Sequence, residues 1–134
     1  AEKGAGAWMN ETRLRVSGRE RMIESIFATG LPFGGRPELP ETLKACGRLL
    51  PTCAGLRRWG SASLDLAYVA AGRFDGYWER RLNAWDMAAG ELIVREAGGF
   101  VEAMDEGERV LENGSIIAAN PTVFPKFAKL VRGA

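Results

Sequence analysis

The residues best suited to chemistry lie in three short stretches: Gly60-Ser61-Ala62, Glu79 and Asp86. In an open α/β sheet, ligands settle beyond the carboxyl ends of strands, where helix N-termini offer unpaired N–H groups to anions. All three stretches fall at such positions in the element pattern. Asp86 opens a helix, where a carboxylate can cap the free N–H groups or hold a cation. Gly60-Ser61-Ala62 follows a short strand and precedes a helix, so it reads as a helix cap or as a turn that approaches a ligand. Glu79 ends a strand, and on its own it reads as an exposed acid.

The chain contains no histidine, which removes the usual general base and the Ser-His-Asp arrangement. Cys46 and Cys53 lie seven apart, and without imidazole they fit neither the His-containing zinc patterns nor a thiol–imidazole pair. They read as reduced thiols.

The element that must position Asp86 runs from Trp85 to Gly99. Trp85, Ala88, Ala89, Leu92, Ile93 and Ala97 recur at helical spacing, with Glu91 and Arg95 four apart on the other side. The spacing predicts an amphipathic helix of about three to four turns. Gly98 and Gly99 follow where a left-handed C-terminal cap belongs.

Residues 1–17 read as two short strands around a turn, and Met22 to Thr29 as an apolar strand. A loop over Leu31 to Pro37 leads to a helix from near Pro40, with Leu43, Cys46, Gly47, Leu49 and Leu50 as its apolar face and Pro51 at its end. Leu56 to Trp59 is a strand. The helix capped by Ser61 or Ser63 runs to Ala71, is apolar nearly all round and should be buried. In the strand Phe74 to Glu79, alternation puts Asp75, Tyr77 and Glu79 on one face, Phe74 and Trp78 on the other. Strands follow at Phe100 to Met104 and Ser115 to Ala119, separated by an acidic surface turn. The last helix carries Phe127, Leu130 and Val131, and Pro121 and Pro125 leave its start open. Strands alternating with helices over residues 22–132 predict a layered α/β unit with a mostly parallel sheet.

A chain of 134 residues with 46% hydrophobic and 26% charged residues suits one globular domain. Eighteen basic and seventeen acidic residues nearly cancel, so no nucleic-acid or membrane surface is held by net charge. No apolar run reaches the length of a membrane span, and the opening residues lack the apolar core of a signal peptide. A cytoplasmic location is expected.

Arg57-Arg58-Trp59-Gly60-Ser61-Ala62-Ser63-Leu64-Asp65-Leu66-Ala67, then Gly72-Arg73-Phe74-Asp75-Gly76-Tyr77-Trp78-Glu79, then Trp85-Asp86-Met87-Ala88-Ala89-Gly90 through Gly98-Gly99, resemble the C-terminal half of the inositol monophosphatase family in order and spacing. The similarity extends along essentially the whole chain. It implies an α/β helix–sheet–helix sandwich, the C-terminal half of a five-layer αβαβα fold shared with fructose bisphosphatase-like proteins. Residues 1–17 would be a remnant hairpin of the N-terminal α+β half, and residues 18–134 the C-terminal half.

The resemblance also assigns roles. Asp86 corresponds to a metal-coordinating aspartate, a hard oxygen ligand for Mg²⁺. Glu79 corresponds to a glutamate that binds substrate hydroxyls, and Gly60, Ser61 and Ala62 to a turn that approaches the substrate. The implied reaction is Mg²⁺-assisted hydrolysis of a phosphomonoester, inositol 1-phosphate first. Relatives act on histidinol phosphate, sugar bisphosphates or phosphoadenosine compounds. A homodimer is implied as well.

Two departures matter. The family's other metal ligands come from a Gly-x-Glu-Glu segment and an Asp-Pro-x-Asp-Gly-Thr segment, and neither occurs here. The chain therefore looks like the last half of a longer protein, partnered by an N-terminal half and inactive alone. Arg80 and Arg81 stand where glycine or apolar residues are more usual; they favour a more anionic substrate, or they face solvent or a dimer partner. The competing reading is a non-catalytic binding or regulatory module on the same scaffold.

Overall fold

A computed structural model describes residues 1–133. The elements in chain order are β1 (Trp8–Met9), β2 (Thr12–Arg13), β3 (Ile26–Thr29), α1 (Leu39–Leu49), β4 (Gly55–Arg57), α2 (Ala62–Ala70), β5 (Gly76–Glu79), α3 (Ala84–Glu96), β6 (Phe100–Glu102), α4 (Val110–Asn113), β7 (Ile116–Ala119) and α5 (Phe124–Arg132). β3 to β7 form one sheet in the order β4-β3-β5-β7-β6, while β1 and β2 pair only with each other.

Side-chain alternation on these short strands divides the core into two layers. Ala28, Tyr77, Ile116 and Ala118 point to one face, where they meet Leu66 and Val69 of α2 and Met87 and Val94 of α3. Phe27, Trp78, Ile117 and Ala119 point to the other, against Leu49 of α1 and Phe127 and Val131 of α5. Phe27 and Phe127 stack with ring centroids 4.2 Å apart. The result is the layered α/β unit that the alternation of elements predicts, and the helix–sheet–helix sandwich that the resemblance implies.

The sheet is less parallel than expected. β3 pairs in parallel with β4 and β5, whereas β7 pairs antiparallel with both β5 and β6. β7 is thus a reversed strand inserted between β5 and β6. The chain reaches it from β6 through the acidic turn and α4, and no crossover helix restores the direction.

Other boundaries shift for identifiable reasons. Met22–Glu24 is a short 3-10 turn ahead of β3, not strand. α5 begins at Phe124 with Pro125 in its first turn, because Asn120 Oδ1 accepts the Thr122 and Val123 N–H groups at 3.0 Å each and holds the preceding turn. Phe74 packs with Tyr77, not Trp78, because it precedes the strand and escapes its alternation.

Three expected helix faces hold only in part: Ala97 at the end of α3, Leu49 of α1 and Leu66, Val69 and Ala70 of α2 are buried as expected. α3 buries Met87, Gly90 and Val94, while Trp85 is 81% exposed and Ala88 and Ala89 are exposed too. The helix carries two apolar stripes, and close approach at Gly90 selects between them: a Cβ there would stand 2.5 Å from Leu66 Cδ1. α1 buries Thr42, Ala45 and Leu49 and exposes Leu43 and Leu50. Thr42 is tolerated inside because its hydroxyl donates to the Glu38 carbonyl at 3.0 Å. The apolar residues of α2 are buried or half-buried as expected except Leu64, which is exposed.

Buried Asp75 pins the start of β5. Its Oδ2 accepts the Ile26 N–H at 2.8 Å, and its Oδ1 accepts from the Ser17 hydroxyl and, at 3.3 Å, from Arg19. Asn120 Nδ2 donates to Ser17 Oγ at 2.9 Å. The segment after the hairpin is thereby fastened to β3, β5 and the end of β7.

Candidate functional site

β3, β4 and β5 run in one direction, so their carboxyl ends open at one edge of the sheet. α2 and α3 begin there. Between them lies a cavity of about 370 Å³ that gathers Gly60, Ser61, Ala62, Glu79 and Asp86 from three separate stretches of chain. Gly30, Leu31, Arg36, Arg58 and Arg81 also line it. Every site residue expected from the sequence is present. A larger depression of about 650 Å³, lined by Glu102, Glu106, Glu108 and Arg109 among others, contains none of them.

Gly60 has φ +88°, a left-handed conformation that glycine adopts without penalty. The turn delivers Ser61 to the N-cap of α2, where its Oγ accepts the Leu64 N–H at 3.5 Å. The capping role of Ser61 is therefore real, and the same turn faces the cavity.

Asp86 is not the N-cap. Asn83 holds that position, and Asp86 lies three residues on, its Oδ2 accepting the Asn83 N–H at 3.0 Å. The carboxylate therefore fixes the start of α3 while lining the cavity. Among the described residues, no group of three or more His, Cys, Asp or Glu side chains converges to hold a metal ion. A single carboxylate already engaged in helix capping is a small donor set for Mg²⁺.

Glu79 is drawn inward instead of standing free at a strand end. Its Oε1 accepts the Tyr77 hydroxyl at 2.5 Å, and its carboxylate rests against Gly30. Burial, countered by the tyrosine hydrogen bond and reinforced by nearby Asp86, raises its carboxyl above the ordinary range. Burial first, and Glu79 next, drive the Tyr77 hydroxyl far upward, so it remains a donor.

Sequence reasoning gave no role to Arg58 and Arg36, which line the cavity, or to Asp65, which is buried in α2 outside its lining. Asp65 is 1% exposed, and neither carboxylate oxygen has a hydrogen-bond partner. Burial, then Glu79, push its carboxyl up to about 7, with Arg58 opposing. Arg58 follows β4 and stacks over Phe33 at 4.6 Å. Arg36 sits on the glycine-containing loop before α1 and makes no salt bridge among the described residues. Arg58 and Arg36 lie in loops, where periodicity carries no signal. Asp65 interrupts an apolar helix, which is the sign that could have found it.

Arg81, noticed as a departure, lines the cavity and pairs with Glu38 at 3.0 Å. Its φ is +59°, a left-handed conformation uncommon outside glycine. Arg80 does not line the cavity.

A sheet-edge cavity flanked by two helix N-termini, with carboxylates and guanidiniums side by side, is chemically suited to small polar ligands. Residues 1–134 match the inositol monophosphatase family, and the chain belongs to it. It is 48% identical over 131 residues to an inositol-1-monophosphatase of Mesorhizobium japonicum, covering 98% of this chain and 49% of that protein. It is 47% identical over 132 residues to the Nus factor SuhB of Haemophilus influenzae, with the same two coverages. The extragenic suppressor protein suhB from Bartonella henselae superposes with a TM-score of 0.93 at 45% identity, over 98% of this chain and 50% of that one. The inositol monophosphatase of Anabaena gives 0.88 at 37% identity, over 98% and 55%. The chain spans about half the length of the relatives it matches.

Proposed function

We propose that this chain supplies the C-terminal half of a Mg²⁺-dependent phosphomonoester hydrolase whose first substrate is inositol 1-phosphate. The observation that carries the reading is the convergence of Gly60, Ser61, Ala62, Glu79 and Asp86 on one cavity. Asp86 contributes one carboxylate to the metal, Glu79 takes substrate hydroxyls, and the Gly60-Ser61-Ala62 turn orients the substrate through backbone and hydroxyl groups. Mg²⁺ supplies polarisation of the phosphoryl oxygens and activation of water. Its remaining ligands come from an N-terminal half, of which residues 1–17 are the last hairpin.

Two features support the missing half. No metal site closes among the described residues. Leu64 of α2, Trp85 of α3 and Trp59 ahead of α2 are large apolar side chains left exposed, as suits cover by a further layer. On this reading the 134-residue chain alone is inactive, and a homodimer of the longer protein rests on the family resemblance. Phosphate release from inositol 1-phosphate, measured with and without Mg²⁺ on both lengths, tests this. Activity of the short chain would overturn the requirement for a second half.

A regulatory reading is favoured by one finding, the similarity to relatives named Nus factor SuhB. It predicts that the longer protein binds a macromolecular partner while Asp86→Asn leaves that binding intact.

A further inference from the structure

Tyr77 is fully buried on the central strand of the sheet, where its backbone pairs with Ala28 of β3 on one side and Ala118 of β7 on the other. Its ring belongs to the core layer that holds Leu66 and Val69 of α2 and Met87 and Val94 of α3. A phenylalanine would fill the same space, so packing alone does not call for the hydroxyl. A buried hydroxyl needs a partner, and this one donates to Glu79 Oε1 at 2.5 Å. Alternation along β5 puts the two side chains on one face, two residues apart, and so lets a fixed ring meet a flexible acid.

Glu79 is held on two sides. Oε1 is taken by Tyr77, and the carboxylate lies against Gly30, which has no side chain to push it away. Oε2 accepts no hydrogen bond among the described residues and remains accessible in the cavity that Glu79 lines. The charged groups around it are Asp86 of α3, Asp65 of α2, Arg58 after β4 and Arg36 before α1. Burial and Asp86 favour the protonated acid, whereas the Tyr77 bond is the largest influence favouring the carboxylate, ahead of Arg58 and Arg36.

We propose that Tyr77 is a positioning residue, whose hydroxyl takes Oε1 and leaves Oε2 of Glu79 as the acceptor for a substrate hydroxyl. This rests on the phosphatase reading and names what aims Glu79 within it. Tyr77 does not line the cavity and acts through Glu79.

The test uses the full-length protein with both halves, native and Tyr77→Phe, assayed with Mg²⁺ on inositol 1-phosphate and on p-nitrophenyl phosphate. The KM for inositol 1-phosphate should rise about tenfold with kcat held within about twofold. p-Nitrophenyl phosphate offers Glu79 no hydroxyl, and its KM should change by less than about twofold. Loss of the Tyr77 bond lets Glu79 keep its proton to higher pH, so the acid-side rise in KM for inositol 1-phosphate should begin at higher pH in the variant. Equal changes on both substrates with no shift of that limb overturn the proposal and leave the phosphatase reading standing. Carboxyl-carbon NMR titration of Glu79 in the same two proteins needs no turnover: its midpoint should move up in Tyr77→Phe, and an unmoved midpoint overturns the role of Tyr77. A native protein that hydrolyses neither substrate overturns the phosphatase reading, and the hold of Tyr77 on Glu79 then stands or falls on the titration.

Discussion

The Glu79 carboxylate rests against Gly30, so that a Cβ at position 30 would overlap both of its oxygens. The contact joins the end of β3 to the end of β5 across their parallel pairing. Gly30→Ala should push the carboxylate away from the Tyr77 hydroxyl that now donates to it. The carboxylate ends a flexible side chain, so stability should change by less than about 1 kcal/mol. The KM of the full-length protein for inositol 1-phosphate should rise about tenfold, as a hydrogen bond to a charged group is worth about 1.5–3 kcal/mol. Steady-state kinetics beside a thermal melt separate the two effects. An unchanged KM would remove Glu79 from substrate binding.

Asp65 gives the chain a pH dependence with a definite sign. Burial first, then Glu79, raise its carboxyl from 3.8 to about 7 in the folded state. Between those values the folded chain keeps a proton that the unfolded chain has released, so stability falls as pH rises through the window and is level on either side. Asp65→Asn removes this titration. The variant should gain on the native protein between about pH 4 and about pH 8, by roughly 1–3 kcal/mol. Denaturant titrations at the two pH values measure it, and an equal difference at both would show that Asp65 does not titrate there.

The site was legible where its residues stand at element ends, and obscure where they stand in loops or face two ways. Gly60, Ser61, Glu79 and Asp86 stand at strand ends and helix starts, but the family resemblance is what gave them roles over capping or plain exposure, and the structure brings them to one cavity. The β5–α3 connection disguised Asn83 as loop, so Asp86 was read as a possible cap when it stands one turn inside the helix. The buried face of α3 was misread because Trp85, Ala88 and Ala89 match helical spacing as well as Met87, Gly90 and Val94 do. Periodicity names the stripes, and tertiary contact chooses among them. The reversed β7 was invisible for a similar reason: four consecutive apolar residues mark a buried strand without giving its direction.

Gly90 is the choice-maker on α3, and it can be tested directly. Alanine propagates helix better than glycine by about 0.8–1 kcal/mol. At position 90, however, the new Cβ would meet Leu66 Cδ1 at 2.5 Å and Leu66 Cβ at 2.7 Å, both deep in the α2–α3 contact. Overpacking of this kind costs about 1–3 kcal/mol. Gly90→Ala should therefore be destabilising by up to about 2 kcal/mol once propensity is set against it. Chemical denaturation reads the sum. A stabilised variant would mean that α2 and α3 can separate freely, and the cavity between their N-termini would not be rigidly framed.

Asp86 carries two roles that a pair of substitutions can divide. Its Oδ2 accepts the Asn83 N–H at 3.0 Å, a bond that Asp86→Asn can keep through its amide oxygen and Asp86→Ala cannot. On stability alone, the alanine variant should lose about 1 kcal/mol and the asparagine variant less than about 0.5 kcal/mol. On Mg²⁺ the order differs, because both variants remove the negative charge that a hard cation requires. Magnesium titration of the full-length protein should show both weakened by on the order of 10- to 100-fold or more, with phosphate release falling in step. A carboxylate that serves only as a helix cap predicts the opposite division: Asp86→Asn would match the native protein in stability, metal affinity and turnover, and Asp86→Ala alone would differ.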